Sequence, residues 1–220
     1  MVAMVVASLI FNVSFDGPNA PSAVIGGELY VIQKDGKGAK SVDASSGAMF
    51  FSSNDCSQVI QRSLDALAVG GTVLVDEGVY DLSREIDLKS DVRLVGKGPG
   101  TVFRCEAGAG LQVVEQSNVF MSNFSLEGKG NIQIVSATKP SDNITLSEIT
   151  ATVDYSVEGA FCLLAMGEAM VSNVHFYRCS AIDCETNGFI NSGRMEDGNW
   201  ISNITYVQCR SIDSCSKGRY

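Results

Sequence analysis

The feature that most constrains this chain is a repeat of short, strand-like segments along its second half. Four segments align without internal gaps: SNVFMSNFSLEG from Ser117, DNITLSEITATV from Asp142, AMVSNVHFYRCSAID from Ala169 and NWISNITYVQCRSID from Asn199. Their matching apolar positions are Phe124, Ile149, Val174 and Ile204, which are 25, 25 and 30 residues apart. The last two segments also match Phe176 with Tyr206, Cys179 with Cys209, Ile182 with Ile212 and Asp183 with Asp213.

A period of about 25 residues that contains two or three short strands and no helix is typical of a β-solenoid. Each rung of a solenoid buries its inward face only by stacking on its neighbours, so equivalent residues form ladders. The stretch from Thr72 to Tyr220 is long enough for about six such rungs. A β-sandwich is the competing fold, but it does not need aligned positions at a fixed rung length.

A single amphipathic helix is predicted before the repeats. Residues Asp55 to Ala68 carry an apolar stripe of helical period, formed by Val59, Ile60, Ser63, Leu64 and Leu67. Asp55 followed by Gln58 resembles a capping box, and Gly70-Gly71 ends the helix. The preceding segment, 30–53, is predicted to be extended, with turn signals at Asp35-Gly36 and Ser46-Gly47.

The stretch from Asn54 to Phe103 resembles the opening of β-helices of the pectate-lyase superfamily. In that family an Asp-led helix closes the end of the solenoid, and a G-G-T-V strand, a G-x-Y turn and a strand ending in G-x-G follow it. The matching residues here are, in order, Asp55, Gly70-Gly71-Thr72-Val73, Gly78-Val79-Tyr80 and Gly96-Lys97-Gly98. The resemblance implies an all-β, right-handed parallel β-helix with one N-terminal capping α-helix, of which this chain is the N-terminal portion.

Three regions are predicted along the chain, of which the first is predicted from its uncharged start alone. Residues 1–29 are a truncated signal or a leading strand, 30–53 form the extended lead-in, and 54–220 form the capped β-helix, open at its C-terminal end. An open end exposes unpaired strand edges and apolar side chains, which predicts further rungs beyond Tyr220 or a homo-oligomer whose neighbour covers the end.

The resemblance also implies a polysaccharide ligand, but it does not decide between binding and catalysis. Members of the superfamily include lyases, hydrolases, epimerases, tailspikes and adhesins, and a fold does not fix a function. Two hypotheses therefore stay open. One is a pectate-lyase-like carbohydrate-active domain, and the other is a non-catalytic surface adhesin or tailspike-like binding module.

Charge and hydropathy limit the expected partners and the expected cellular location of the protein. The net charge is −9 and no basic run occurs, which argues against nucleic acid as a partner. Residues Met1 to Phe15 carry no charge but are shorter than the roughly 20 residues of a membrane span, so the chain is not predicted to be an integral membrane protein. With the four sequons at Asn12, Asn123, Asn143 and Asn203, this apolar start favours a secreted or cell-surface protein.

The cysteines give no metal or redox signature. The chain has seven cysteines, none in a C-x-x-C pair, and a single histidine, so no familiar zinc pattern can be completed. A Cys179–Cys184 disulfide is possible in an exported protein. Burial as small apolar side chains is the favoured interpretation of scattered cysteines.

No catalytic residues can be identified from the sequence. The polygalacturonase-like hydrolases of the superfamily combine N-x-D, an Asp-Asp pair, Gly-His-Gly and Arg-x-Lys, and none of the four occurs here. The lyases hold calcium with clustered aspartates, and the acidic residues of this chain show no calcium-like spacing. No cofactor is predicted, with calcium possible only for a lyase.

The predicted substrate-binding residues are His175, Tyr177, Arg178 and Arg210. Strand alternation buries Val174 and Phe176 and turns His175 outward, in line with Ser125, Thr150 and Thr205 on neighbouring rungs. Tyr177 offers a surface on which a sugar ring can stack, and the two arginines can pair with uronate carboxylates. An outward row of polar side chains suits an extended polymer.

Overall fold

The computed structural model describes residues 27–154, 159–166, 168–193 and 200–214. Before the helix lie strands β1 (Glu28–Asp35), β2 (Gly38–Asp43) and β3 (Met49–Ser53), and the helix is α1 (Cys56–Ala66). The next strands are β4 (Gly71–Val75), β5 (Gly78–Leu82), β6 (Glu85–Asp87), β7 (Val92–Gly96), β8 (Thr101–Cys105) and β9 (Gly110–Val114). The last are β10 (Ser117–Gly128), β11 (Asn131–Ser136), β12 (Ser141–Val153), β13 (Gly159–Ala165), β14 (Val171–Tyr177), β15 (Ser180–Ile182), β16 (Asn187–Gly193), β17 (Ile201–Val207) and β18 (Arg210–Ile212).

The strands after the helix stack as three parallel walls around one core. The first wall contains β4, β7, the N-terminal halves of β10 and β12, β14 and β17. The second contains β5, β8, the C-terminal halves of β10 and β12, β15 and β18, and the third contains β6, β9, β11, β13 and β16. Because the chain passes through the three walls in turn, it forms a parallel β-helix of about five turns. The predicted all-β parallel β-helix with a capping helix is confirmed, and α1 is the one helix within the described ranges.

The helix α1 closes the first turn, as the sequence predicts. The side chain of Asp55 accepts a hydrogen bond from the backbone N–H of Gln58 at 3.2 Å. Only this one of the two hydrogen bonds of the predicted capping box forms. The reciprocal bond is missing because the N–H of Asp55 donates to Ser53 Oγ and not to Gln58. The apolar stripe predicted on one helix face (Val59, Ile60, Ser63, Leu64 and Leu67) is fully buried against the β-helix core.

The lead-in segment 30–53 extends the first wall. Strand β1 pairs in parallel with β4, and β2 and β3 follow as antiparallel partners. The two turn signals are confirmed, since Gly36 and Gly47 lie between these strands with φ of 57° and 68°. The predicted signal or leading strand at 1–29 lies outside the described residues up to residue 26, and β1 begins at Glu28. Among the described residues, α1 is too short and too polar to cross a membrane.

The register of the repeats corrects one part of the sequence alignment. Phe124 pairs with Ile149 as predicted, and Phe176 with Tyr206. Val174, however, pairs with Ile144 rather than with Ile149, so the step between the second and third segments is 30 residues and not 25. The four residues thus belong to two inward ladders: Val119, Ile144, Val174 and Ile204 form one, and Phe124, Ile149, Cys179 and Cys209 form the other.

The physical reason for the slip is a five-residue sub-repeat. Non-glycine residues with φ of 50° to 59° recur every five residues along these turns: Asn118 and Asn123; Asn143 and Glu148; Asn173, Arg178 and Asp183; Asn203, Gln208 and Asp213. Each left-handed residue bends the strand and resets the alternation of its side chains, so the inward pattern returns after five residues. A sequence alignment displaced by one five-residue unit therefore still matches inward apolar residues with one another. The apolar pattern of the sequence does not show the error.

Side chains at the first of these left-handed positions form a hydrogen-bonded ladder. Asn118 Nδ2 donates to Asp91 Oδ1 at 2.8 Å, Asn143 Nδ2 to Asn118 Oδ1 at 2.7 Å, and Asn203 Nδ2 to Asn173 Oδ1. Asparagine adopts the left-handed region more readily than other side-chain-bearing residues. Two of the predicted sequon asparagines, Asn143 and Asn203, thus have a structural reason for their identity.

We expect the loss of unfolding free energy on truncation of a side chain to distinguish inward from outward positions. Ile149 is fully buried, so Ile149→Ala should lower the free energy of unfolding by about 2–5 kcal/mol through the cavity it leaves. Thr150, the next residue, faces outward, and Thr150→Ala should cost far less. Chemical denaturation monitored by circular dichroism gives both values, and equal losses would mean that the two faces of β12 are assigned the wrong way round.

A second prediction concerns the left-handed corners. Asn143 has φ of 53°, where an alanine is strained by roughly 1–2 kcal/mol and a glycine is not. Asn143→Ala should therefore destabilise the protein more than Asn143→Gly, and both lose the ladder hydrogen bond.

The matched control is Thr152 on the same strand, at an ordinary extended position, where the order should invert and Gly should be the worse substitution by roughly 0.5–1 kcal/mol. Thermal unfolding measures the stabilities of the four variants. If the Gly variant were the more stable one at both sites, or the Ala variant at both, the role of the left-handed corner would be contradicted.

Candidate functional site

The candidate site is the outward surface of the first wall, here called the first-wall face. Two rows of side chains point out of this wall, one residue from each successive turn. The first row is Arg93, Phe120, Thr145, His175 and Thr205, and the second is Val95, Ser122, Ser147, Tyr177 and Val207. The face is bounded on one side by the asparagine ladder and on the other by the left-handed residues Glu148, Arg178 and Gln208.

The middle of this face is buried. Although Ser122, Ser147, Phe120 and Val95 point away from the core, only 0%, 3%, 6% and 9% of their surfaces are exposed. Outward residues of a solvated sheet are ordinarily polar and exposed. The middle of the first-wall face is therefore covered rather than solvated.

Two polar atoms on this face are buried without a hydrogen-bond partner among the described residues, Ser122 Oγ and His175 Nδ1. Buried polar atoms are nearly always satisfied, and leaving one unsatisfied costs roughly 1–3 kcal/mol. Neither atom has a partner among the described residues, and both are closed off from solvent.

Arg93 adds a positive charge to the same face. Its guanidinium carbon lies 4.5 Å from the centre of the Phe120 ring, and burial lowers the pKa of the Arg93 side chain from its usual value. The described residues place no carboxylate within ion-pair distance of it. A partly buried cation without an acidic partner is costly and favours an anionic ligand.

Of the predicted site residues, the structure places His175 and Tyr177 on the first-wall face. They are two residues apart on β14 and both are half-buried. The predicted row through His175 is partly wrong, because His175 pairs with Thr145 and Thr205, whereas Ser125 and Thr150 lie on the second wall. The cause is the same five-residue slip that misassigned the inward ladder.

Arg178 lies at the edge of the face and is held by its neighbours. Its Nε donates to Gln208 Oε1 at 2.9 Å, its terminal nitrogen lies 3.2 Å from Glu148 Oε1, and its guanidinium carbon lies 4.7 Å from the centre of the Tyr177 ring. The ion pair is exposed and therefore weak. It nevertheless fixes the side chain along the margin, where it orients Tyr177.

Arg210 is not brought to this face. It lies on β18 in the second wall, and its Nε donates to Ser180 Oγ at 2.9 Å. Arg178 is level with Gln208 and Arg210 with Ser180 on the neighbouring turn. The two arginines are thus separated by the corner between the first and second walls, and the predicted four-residue site divides into two surfaces.

Sequence reasoning missed Arg93 and Ser122. The signal for Arg93 was present, because a lone arginine stands at an outward position of the apolar strand VRLVG. Ser122 gave no signal, since an outward serine on a strand is ordinarily exposed. Only the packing of neighbouring turns shows that its hydroxyl is fully buried.

The chemistry of the face follows from these side chains. Neither row contains Asp or Glu, so it lacks the pair of carboxylates that glycoside hydrolysis requires. It does offer an imidazole, a phenol and a guanidinium, which can bind hydroxyls and carboxylates and exchange protons. No three described His, Cys, Asp or Glu residues are placed to hold a metal ion, so no step is assigned to calcium.

Comparison with known proteins gives matches to solved structures only. No family model matches the chain, and no curated protein does. The A-module of the mannuronan C-5 epimerase AlgE4 of Azotobacter vinelandii is 21% identical over 68% of this chain and 55% of that module, with a TM-score of 0.38. The AlgE6 A-module of the same organism is 17% identical over 71% of this chain and 53% of that module, with a TM-score of 0.34.

A third match is a candidate glycosyl hydrolase from Parabacteroides merdae, 14% identical over 70% of this chain and 89% of that protein, with a TM-score of 0.41. The chain spans about half the length of the two epimerase modules. Because these scores are low, we base the fold on the strand pairing itself. That pairing defines the protein as a capped parallel β-helix.

The unsatisfied hydroxyl of Ser122 leads to a stability prediction. Ser122→Ala removes a buried group that has no partner, so the ligand-free protein should be equally or slightly more stable. The control is Ser136→Ala, because Ser136 is also fully buried but donates to Met170 O at 2.7 Å and accepts from Ser141 N–H at 2.8 Å. Its loss should cost roughly 1–3 kcal/mol in chemical denaturation. A comparable loss for Ser122→Ala would show that its hydroxyl is already satisfied.

Proposed function

We propose that this protein binds an extended acidic polysaccharide along the first-wall face. The observation that carries the proposal is one face that holds the half-buried Arg93 guanidinium, which has no carboxylate partner among the described residues, and two polar atoms without a hydrogen-bond partner there, Ser122 Oγ and His175 Nδ1. A polysaccharide supplies many hydroxyls, and an acidic one also supplies carboxylates. A polysaccharide ligand is also what the resemblance to the pectate-lyase superfamily implies.

The spacing of the face supports a polymer over a small ligand. Arg93 and His175 are three strands apart, which corresponds to roughly 14 Å at the usual spacing of neighbouring strands. One monosaccharide cannot contact both. A chain lying parallel to the β-helix axis meets one residue of each row at every turn, with Tyr177 available to stack against a sugar ring.

For the reaction, we propose a lyase-like carbohydrate-active domain, with a non-catalytic binding module as the second candidate. The lyase is supported by His175 Nδ1, an imidazole nitrogen without a hydrogen-bond partner among the described residues, next to the phenol of Tyr177 on the same strand face. In such a reaction the imidazole would take the proton beside a uronate carboxylate. The binding module is supported by the absence of Asp and Glu from both rows. Either function would suit an exported protein, and we propose secretion or the cell surface as its location.

The test measures binding and turnover together. Polygalacturonate and alginate, with dextran as the neutral polymer, are titrated into the protein by calorimetry at low and high salt. We expect binding of the acidic polymers only, weakened by salt because screening reduces ionic attraction. Release of unsaturated uronates, read by ultraviolet absorbance, would identify a lyase, whereas binding without products would leave the binding module.

Substitutions test whether the polymer binds at the first-wall face. Arg93→Gln removes a charge-assisted contact and should weaken binding about tenfold or more. Arg104→Gln is the matched control, since Arg104 is outward on the second wall and already paired with Asp81 at 3.3 Å, and it should bind like the parent protein. Arg93→Lys should recover part of the affinity. If turnover is seen, His175→Ala should abolish it while binding persists.

Unchanged affinity of a folded Arg93→Gln variant, or an equal loss in Arg104→Gln, would place the ligand elsewhere. Binding of dextran as tightly as of the uronates would reject the acidic polymer.

A further inference from the structure

Two cysteines lie directly above one another in the core, on the last turns that the structure describes. Cys179 follows the left-handed residue Arg178, and Cys209 follows the left-handed residue Gln208. Backbone hydrogen bonds on either side hold the pair in register: Arg178 N–H donates to Val207 O at 2.8 Å, and Arg210 N–H donates to Cys179 O at 3.0 Å. Both side chains therefore point inward, one strand spacing apart.

This register suits a covalent bond between the turns. Neighbouring parallel strands are about 4.8 Å apart, which falls inside the range of about 4.4–6.8 Å between the Cα atoms of disulfide-bonded cysteines. Each thiol is the largest influence on the pKa of the other, as expected of neighbouring sulfurs. Neither is engaged in a disulfide.

The two thiols differ in accessibility and acidity. Cys179 is fully buried, whereas Cys209 is half-buried. The hydrogen bond from Cys179 lowers the pKa of Cys209 to about 7, and the same contact together with burial raises the pKa of Cys179 well above its usual value. By contrast, burial raises the pKa of Cys105 to about 12. A thiol is nucleophilic as its thiolate, so Cys209 is the attacking sulfur of the pair.

We propose that Cys179 and Cys209 form a dithiol site that small-molecule disulfides of the glutathione class oxidise to a disulfide between two turns of the β-helix. The Cys209 thiolate attacks one sulfur of the small disulfide, and the first small thiolate leaves. Cys179 then gives up its proton and attacks the Cys209 sulfur, which expels the second small thiolate. The two protein thiols are oxidised, and the small disulfide is reduced to two thiols.

The site does not include Cys184, for which the sequence left a disulfide with Cys179 open. Cys184 Sγ is directed to the carbonyls of Ala151 and Ile182, both at 3.7 Å. With Ile182 paired to Ile212, the residue one turn further at that position is Ser214. Cys184 is thus a buried cysteine without a second thiol in its ladder, and it serves as the control.

The first experiment maps cross-links in the full chain. Protein is incubated with oxidised glutathione at neutral pH, free thiols are alkylated, and peptides are analysed by mass spectrometry. We expect one cross-link, Cys179–Cys209, in the parent and in Cys184→Ser, and none in Cys209→Ser or Cys179→Ser. Cys179→Ser should instead retain glutathione on Cys209, because the resolving thiol is gone. Should Cys179→Ser fail to fold by circular dichroism, Cys179→Ala replaces it.

The second experiment measures thiol reactivity and thermal stability, which do not depend on detecting cross-linked peptides. Alkylation of Cys209 should follow a thiolate that titrates near pH 7, and it should be at least tenfold faster than alkylation of Cys184 at neutral pH. Oxidation should raise the thermal unfolding midpoint of the parent and of Cys184→Ser, and a reductant should reverse the shift. No cross-link at these two residues in folded protein, or equal alkylation rates for Cys209 and Cys184, would overturn the proposal.

Discussion

Every turn of this β-helix depends on parallel strands that must arrive in register, and the left-handed residues at its corners set that register. Parallel pairing gives each strand its backbone hydrogen bonds only from the turns above and below. A corner built from one left-handed residue changes the chain direction without interrupting those bonds, as Asn123 and Glu148 show within the continuous strands β10 and β12. The asparagines at the first corner of these turns then follow, because asparagine tolerates this conformation and its side chain can bond to a neighbouring turn.

The same register produces the candidate site. Once the corners are fixed, outward side chains of successive turns fall into rows, and the chemistry of each wall is set by a few positions per turn. Several acidic residues lie on other surfaces: Asp81 pairs with Arg104 on the second wall, and Glu85 and Asp87 both accept from Gln112 on the third. The first-wall face is left without a carboxylate in either row. In a chain with net charge −9, the two rows of this face thus carry the Arg93 cation and no acid, with Glu148 at the margin paired to Arg178.

Much of the fold could be predicted from the sequence because its signals are local. Asp55, the apolar stripe of the helix and the paired glycines after it mark the cap, and short apolar segments at a regular spacing mark the turns. The step from Ile149 to Val174 could not be predicted, because the five-residue sub-repeat makes a slipped alignment look as apolar as the correct one. The site was only half predictable for a related reason. His175 and Tyr177 follow from alternation within one strand, whereas the separation of Arg210 and the burial of Ser122 depend on where the corners fall.

The thiol pair and the candidate site share one structural element. Val174 stacks on Ile204 inward and His175 stacks on Thr205 outward, while Cys179 stacks on Cys209 at the next corner of the same two turns. Arg178 is bonded to Gln208 and lies against Tyr177, so it connects the corner to the margin of the face. A disulfide at the corner would therefore hold the two turns at the position from which His175 and Tyr177 project. Because stacked turns contact only their nearest neighbours, such a bond constrains these two turns and leaves the turn of Arg93 unchanged. Any effect of oxidation on polymer binding should then arise at the His175 end of the face and not at the Arg93 end.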